Sequence, residues 1–421
     1  MRARAAALAL AGLAVAAGCG VSETDDNVVT SVPAEARAYL HLDRQADDWA
    51  EARDALARLP ALEGMVIPLL EGAVEVPGNG EAGVALLPGR KEPLVLGPDD
   101  PEAPRSLADE AEYGELLDGL PEQRLAHLYL GRGAIDFLRS LDSTVTAAAA
   151  AADVIEDDRM RLRARVLHDG APGPCGAKDD DSGLVDVADP DAAFYLELSS
   201  VSCALEALAA RDDGVRAAIR TFGRAAGRRG RVSLEDELLP LLGRRGALIA
   251  VPGERAPTLT FILDDVEEEA ALDMLARLQP ALIHLLGVEE LGQAPTFGAA
   301  DVGGITAITA QLAPGLEVSY AAWDRRLVVS TSLRGIAAVR RGEGLPGSDG
   351  FDAVLGSRPD AHSALVFLDL HQLLTLAEQA GLGEDPRYLA VRDDLQKLRA
   401  AGAAVSREDQ FTTAELTFQI P

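Results

Sequence analysis

Two related stretches decide the fold: Asp109–Leu130 reads DEAEYGELLDGLPEQRLAHLYL, and Asp349–Leu368 reads DGFDAVLGSRPDAHSALVFL. Aligned without a gap, they share an aromatic residue, two aliphatic residues, a proline and an alternating apolar end. The matched residues are Tyr113 with Phe351, Leu116–Leu117 with Val354–Leu355, Pro121 with Pro359, Ala126 with Ala364, and 128–130 with 366–368. Self-similarity of this kind indicates one structural unit that is used twice.

Further matches extend the repeat in the same order. They are Tyr39–Leu42 with Tyr195–Leu198, Pro88, Gly89 and Pro93 with Pro252, Gly253 and Pro257, and 152–158 with 403–409. We therefore predict an old duplication, with a first α+β module at 32–170 and a second, larger one at 187–421. Residues 171–186 are rich in Gly, Pro and Asp and are predicted to form the linker.

Each predicted module alternates the two-residue period of strands with the longer period of helices. Strands are predicted at 38–42, 84–87, 94–96, 259–263, 305–312, 316–323 and 327–330. Helices are predicted at 47–59 and from Glu267 to about Leu286, the latter capped by Asp264 or Asp265. Because the turns between strands are short, we expect an α+β fold of mainly antiparallel sheets, with helices packed on one face.

The N-terminus has the features of a bacterial lipoprotein signal. Two arginines precede an apolar run, Ala5–Ala17, that is too short to cross a bilayer as a helix. Small residues stand directly before Cys19. We therefore predict a signal peptide at 1–18, acylation of Cys19 and a flexible tether at 19–31. An ordinary secretory signal that contains a cysteine is the alternative.

The chain is strongly acidic, with a formal net charge of -29 at pH 7. Such a surface repels phosphate backbones and anionic headgroups, so nucleic-acid binding is not expected. No later apolar run in the sequence approaches the length of a membrane span. The predicted location is therefore extracytoplasmic, at the outer face of the cell membrane, with membrane contact through the lipid on Cys19.

Two cysteines, Cys175 and Cys203, remain once Cys19 is acylated. Outside the reducing cytoplasm, such a pair is a candidate disulfide. The alternative is two separate thiols, with Cys203 on a helix face and Cys175 in a loop. The sequence leaves both readings open.

One basic stretch interrupts the acidic background. Its arginines are Arg220, Arg224, Arg228, Arg229, Arg231, Arg244 and Arg245. Most such runs are solvated loops and helix faces. The functional interpretation is an anion-docking site at Arg224, Arg228, Arg229 and Arg231, for anionic lipid headgroups, wall polymers or the protein's own acidic surface.

Other chemical patterns lack the context that a function requires. Gly78–Gly83 spells a dinucleotide-binding glycine pattern, but the residues after it predict a strand and not a helix. The histidines do not pair at zinc spacing, and Asp360, His362, Asp369 and His371 come closest along one predicted strand. No nucleophile motif is present in the sequence. We therefore expect no catalytic residue, no metal site and no cofactor.

The second module also resembles a known family. The residues that carry the resemblance are VSLEDELLPLLGRRGALIAV at 232–251, LTFILDD at 259–265, EVSYAAWDRRLVVSTSLRGIAAV at 317–339, and the opening VPAEARAY at 32–39. In this order they are similar to bacterial envelope proteins of domain-of-unknown-function family 3352, which is common in actinobacteria. The likeness covers most of the mature chain and is strongest from Val232 to Leu370. It implies an envelope location and brings no known activity.

These observations predict a non-enzymatic, lipid-anchored envelope protein with a binding or scaffolding role. Its expected partner is an envelope protein, a polymer or a lipid that the sequence does not identify. Two alternatives stay open. One is a carrier of lipid or another hydrophobic ligand, which needs a cavity. The other is a hydrolase-type enzyme whose site lies between the modules.

Overall fold

The structure is a computed structural model that describes residues 27–42, 57–58, 81–121, 124, 126–156, 158–170, 183–253, 256–285, 295–313 and 316–420. The chain forms two compact units. The first unit comprises Met1–Gly173, Ala353–Leu355 and Ala377–Pro421, and the second comprises Pro174–Asp352 and Gly356–Leu376. Residues 377–421, which the sequence analysis assigns to the second module, thus cluster with the first unit. The predicted signal, all but residues 57–58 of the helix predicted at 47–59, and most of the linker lie outside the described residues. The predicted flexible tether at 19–31 is wrong at its end, because Asn27–Ser31 form a 3-10 helix in which Val28 and Val29 are buried in the core.

The sheet of the first unit is antiparallel throughout its described pairs. Its strands are β1 (Ala38–Leu42), β2 (Ala82–Leu86), β3 (Leu94–Leu96), β4 (Ala126–Leu130), β5 (Val145–Glu156), β6 (Arg159–His168), β15 (Ala400–Glu408) and β16 (Phe411–Gln419). They lie in the order β3-β2-β1-β4-β5-β6-β16-β15. Its helices are α1 (Ala111–Leu117), α2 (Asp136–Leu141), α10 (Pro386–Leu389) and α11 (Arg392–Leu395).

Helix α1 covers one face of this sheet. Its buried residues Tyr113 and Leu116 join a core that includes Tyr39 and Tyr129 from the central strands. The rings of Tyr113 and Tyr129 meet edge to face, with centroids 5.4 Å apart. Strand β5 contributes mostly alanines to this core. Their small side chains leave room for the large aromatic rings, so the helix packs closely on the sheet.

The described strand pairs of the second unit are also antiparallel. Its strands are β7 (Phe194–Leu198), β8 (Gly246–Val251), β9 (Thr258–Leu263), β10 (Thr296–Val302), β11 (Ile305–Ala313), β12 (Leu316–Trp323), β13 (Arg326–Ser330) and β14 (Ala364–Asp369). They lie in the order β10-β11-β12-β13-β9-β8-β7-β14. Its helices are α3 (Val201–Arg211), α4 (Asp213–Ala225), α5 (Leu239–Leu242), α6 (Glu268–Leu285), α7 (Leu333–Arg341), α8 (Asp349–Leu355) and α9 (Leu370–Gln379), of which α8 and α9 end with three residues that cluster with the first unit.

The α+β class is confirmed, but the expectation of helices on one face is wrong for the second unit. Helix α6 packs on the face that carries Leu263 and Leu327. Helix α7 approaches the opposite face, where Gly335 lies against Thr260 and Ser330. The physical reason is that β9 and β13 bury apolar side chains on both faces, so each face needs a cover.

The start of α6 also differs from the prediction. Asp265 has a left-handed backbone, with φ of 57°, and Asp264 instead pairs with Arg326. The cap is Glu267, whose carboxylate accepts a hydrogen bond of 2.6 Å from the backbone N–H of Ala270. A glutamate therefore fills the position at which an aspartate was expected.

The two quoted stretches fold alike. Each forms a seven-residue helix followed by a strand, α1 and β4 for the first stretch and α8 and β14 for the second. Tyr39 of β1 lies opposite Tyr129 of β4, and the matching residue Tyr195 of β7 lies opposite Phe367 of β14. These equal registers support a duplication, which remains a prediction about the origin of the chain.

Candidate functional site

The predicted anion-docking residues lie on one continuous segment of the second unit. Arg224 occupies the last turn of α4, and Arg228 and Arg229 occupy the π-helical turn Ala226–Gly230 that follows it. Arg231 ends this turn. Together with Arg220 of α4, all five arginines are exposed. We call these five residues the arginine surface.

Packing explains why these side chains face solvent. Ala226, Val232 and Leu238 are buried in a core cluster with Met274 and Leu278 of α6. The apolar residues of the segment therefore turn toward α6, and the intervening arginines turn away from it. Two π-helical turns, 226–230 and Leu234–Leu238, fit this spacing; π turns are rare and occur often at functional sites.

Arg277 of α6 holds the segment in place. Its guanidinium donates hydrogen bonds of 3.2 Å to the carbonyl of Arg231 and 2.7 Å to Glu237, and it also binds Asp273. The hydrogen bond from Arg277 is the main reason that the pKa of Glu237 lies below its ordinary value. This acid is thereby engaged by Arg277 of α6 and by the backbone N–H of Ser233.

The last two arginines of the basic stretch belong elsewhere. Arg244 forms an ion pair with Asp265. Arg245 has a side chain that is only 10% exposed, and it donates a hydrogen bond of 3.0 Å to Glu197. Neither residue joins the arginine surface, which is thus smaller than the stretch of sequence from which it was predicted.

Glu197 is the centre of a buried polar network that the sequence analysis missed. The residue is fully buried on β7 and accepts a hydrogen bond of 2.5 Å from the hydroxyl of Tyr195. Arg245 also donates to the carbonyl of His362, whose ring nitrogen lies 3.5 Å from Glu197. Burial, and then the nearby Glu197 carboxylate, hold the pKa of Tyr195 well above its ordinary value. The network is closed to solvent, so we assign it to stability.

The first unit carries a polar cluster at the corresponding place. His41 follows Tyr39 as Glu197 follows Tyr195, and its ring lies 5.1 Å from that of His127. His127 forms a hydrogen bond of 2.8 Å with the hydroxyl of Tyr113, and His41 one of 3.0 Å with Glu81. Both histidines are 1% exposed. Burial lowers the pKa of His127 well below its ordinary value, so its ring is neutral at pH 7.

A second group of arginines, on β6, also escaped the sequence analysis. Alternate residues of this strand are Arg159, Arg161, Arg163 and Arg165. Arg161 pairs with Asp153, and Arg163 donates a hydrogen bond of 2.9 Å to Glu415. Burial is the largest influence on the pKa of Asp153 and raises it despite the neighbouring Arg161. Arg161 and Arg163 thus pair with acids of neighbouring strands, whereas Arg165 lies over the ring of Phe411.

The histidines and acids nearest to metal spacing in the sequence do not form a centre. His362 faces Glu197, whereas Asp369 accepts a hydrogen bond of 2.9 Å from the backbone of Gln372 at the start of α9. In the described ranges, no three side chains of His, Cys, Asp or Glu are placed to hold a metal ion. Gly83 of the glycine pattern lies in β2, so a strand follows the pattern and not a helix.

Cys203 lies in the first turn of α3 and is disulfide-bonded. Cys175 and Cys19 lie outside the described residues, so the pairing of Cys203 with Cys175 and the acylation of Cys19 stay predictions. No helix in the described part of the chain combines the length and the hydropathy that a membrane span needs.

Comparison with known proteins adds no relative. Neither the family models, nor the curated proteins, nor the solved structures gave a significant match to this chain.

Proposed function

We propose that this protein is a non-enzymatic, lipid-anchored component of the cell envelope that binds the phosphate groups of anionic lipid headgroups through its arginine surface. The observation that carries the proposal is the exposure of Arg220, Arg224, Arg228, Arg229 and Arg231 on one segment of an otherwise acidic chain. Guanidinium groups recognise phosphate oxygens with several donors in a fixed fork.

The net charge of -29 does not prevent such binding. At physiological ionic strength, charges are screened over about 8 Å, so a headgroup at the arginine surface is influenced mainly by the nearest groups. Each exposed arginine near an anionic bilayer contributes about 1 kcal/mol. The acidic remainder of the surface repels the bilayer, so the arginine surface would also orient the anchored protein.

A binding role is also supported by the positions of the titratable groups. Glu197, His41 and His127 form the polar clusters described above, and each is at least 99% buried. Their hydrogen-bond partners come from the protein itself. Such groups do not reach a substrate, and they stabilise the two cores on which the binding surface is displayed.

The test uses soluble protein with Cys19→Ser, so that lipid attachment does not contribute, and vesicles of phosphatidylcholine with or without phosphatidylglycerol. We expect binding only to the anionic vesicles, and weaker binding as salt increases. Arg224→Gln with Arg228→Gln should reduce the partition coefficient about 30-fold, which corresponds to about 2 kcal/mol.

The matched control is Arg340→Gln with Arg341→Gln. It removes the same charge from α7, where both arginines pair with acids. Equal losses in the two double variants would contradict the proposal. Binding to isolated cell-wall polymer without binding to vesicles would also contradict it. The anchor is tested separately: Cys19→Ser in cells should abolish fatty-acid labelling and release the protein from membranes.

A further inference from the structure

Strand β10 ends the sheet of the second unit with an open edge. It pairs with β11 on one side and stands last in the strand order, and among the described residues no strand pairs with its other side. Four consecutive residues, Thr296–Ala299, are exposed. Since consecutive side chains in a strand point to opposite faces, both faces are exposed over Thr296–Ala299, while Ala300 and Val302 are half-buried. Phe297 is 46% exposed.

This edge lacks the features that normally prevent pairing with another chain. Proteins protect such edges with lysine, proline, bulges or very short strands. The sequence of β10, TFGAADV, contains neither lysine nor proline, and its register with β11 runs without a bulge from Thr296 to Val302. A proline stands directly before each end strand, Pro295 before β10 and Pro93 before β3, but β3 has only three residues, whereas β10 has seven.

We infer that the open edge of β10 receives an extended, basic segment of another protein, which adds a strand to the sheet. Strand addition takes its affinity from main-chain hydrogen bonds and its specificity from alternate side chains. The exposed ring of Phe297 favours an apolar side chain opposite it in the partner. Asp301 is the one charged residue of β10 and is exposed, which favours lysine or arginine opposite it.

Two further observations define the partner. Gly298 has open space where a side chain would stand, with no atom within 4 Å of an added Cβ. The small residues Gly298–Ala300 therefore allow close approach of a second backbone. A second copy of this chain is disfavoured because each copy carries a net charge of -29 and would present the same Asp301. The inference is independent of the arginine surface.

The experiment places a photo-crosslinking phenylalanine analogue at position 297 of the full-length protein in its native cells. The control position is Leu389, which is 53% exposed on α10 in the first unit. We expect an adduct from position 297 that is at least tenfold stronger than any from position 389. Its crosslinked peptide should belong to an extended segment of another protein that contains lysine or arginine.

Proline substitutions test whether the backbone edge is responsible. The N–H groups of adjacent strand residues point to opposite edges of the strand, one toward β11 and the next toward the open edge. Of the two variants Gly298→Pro and Ala299→Pro, one therefore removes only an N–H that points to the open edge. This variant is recognised by its unchanged melting temperature, and it should reduce the adduct at least tenfold. An adduct that persists in this variant, an adduct with a second copy alone, or no excess over position 389 would overturn the inference. Arg224→Gln with Arg228→Gln should leave the adduct unchanged.

Discussion

Arg245→Met should be among the most destabilising single substitutions in the second unit. Methionine keeps most of the length of the side chain but leaves Glu197, with a side chain 1% exposed, without its cation. Removal of one partner from a buried ion pair costs about 3–5 kcal/mol, because the remaining charge stays desolvated. The matched control is Arg244→Met. Arg244 is 51% exposed and pairs with an equally exposed Asp265, so its loss should cost about 0–1 kcal/mol.

The assay is urea unfolding of soluble protein followed by tryptophan fluorescence. The sequence contains two tryptophans, so Trp49→Phe leaves Trp323 of β12, which is 7% exposed, as a reporter for the second unit. In this background, Glu197→Gln combined with Arg245→Met should cost only about 1–2 kcal/mol. The neutral amide still accepts the hydrogen bond from Tyr195, and no charge stays buried.

Three outcomes would refute this reasoning. The first is a cost for Arg245→Met that is no greater than that for Arg244→Met. The second is a double variant whose cost equals the sum of its two single costs, since residues in one network should not be additive. The third is an unchanged cost of Arg245→Met at lower pH. Burial favours the protonated form of the unpaired Glu197, so the penalty should shrink as the pH falls from 7 toward 5.

Three further predictions use other parts of the molecule. Since the folded state depresses the pKa of His127, the unfolded state binds more protons below about pH 6.5, and stability should fall there by up to about 1.4 kcal/mol per pH unit. His127→Phe should flatten this decline in pH-dependent urea unfolding, and an equal slope would contradict the assignment. Gly335→Ala should cost about 1–3 kcal/mol, because its methyl group would overlap buried hydroxyl groups, whereas Gly298→Ala, which meets open space, should be close to neutral in thermal melts. Reducing agent should lower the melting temperature of the wild type, because loss of the disulfide removes about 3 kcal/mol from the free energy of unfolding, but it should not change that of Cys175→Ser. Free titration of the thiol of Cys203 in unreduced wild type would contradict this pairing.

Local sequence patterns predicted much of the fold. Strand β1 begins and ends at the predicted residues, although its side chains are buried on both faces. The turn between β12 and β13 was predicted at Asp324-Arg325, and both residues have positive φ, as a tight hairpin of primed type requires. Strand β10 was missed because glycine and alanine give it almost no alternation of hydrophobicity. Its pairing with β11 determines its structure more than its own side chains do.

The candidate sites were harder to predict because they depend on register and packing. Arg244 and Arg245 are identical neighbours in sequence, yet one is a surface ion pair and the other enters the core. Their environments differ because Arg245 lies directly before β8, which pairs with β7, and its side chain faces Glu197. Similarly, FYLEL alternates like a strand with a solvent-exposed glutamate, but Glu197 is fully buried in the structure. A linear sequence carries no signal for a buried charge whose partner comes from another strand.

The two units place different side chains in the corresponding buried space beside a tyrosine. At matched places on their central strands, Tyr39 precedes His41, and Tyr195 precedes Glu197. The first unit fills the space with hydrogen-bonded rings, whereas the second uses an ion pair. Burial lowers the pKa of His127, so acid destabilises the folded first unit when this ring must be protonated, but the pair of Glu197 with Arg245 depends on charges that both exist at neutral pH. Loss of stability just below neutral pH should therefore begin in the first unit, while the second unit continues to display the arginine surface.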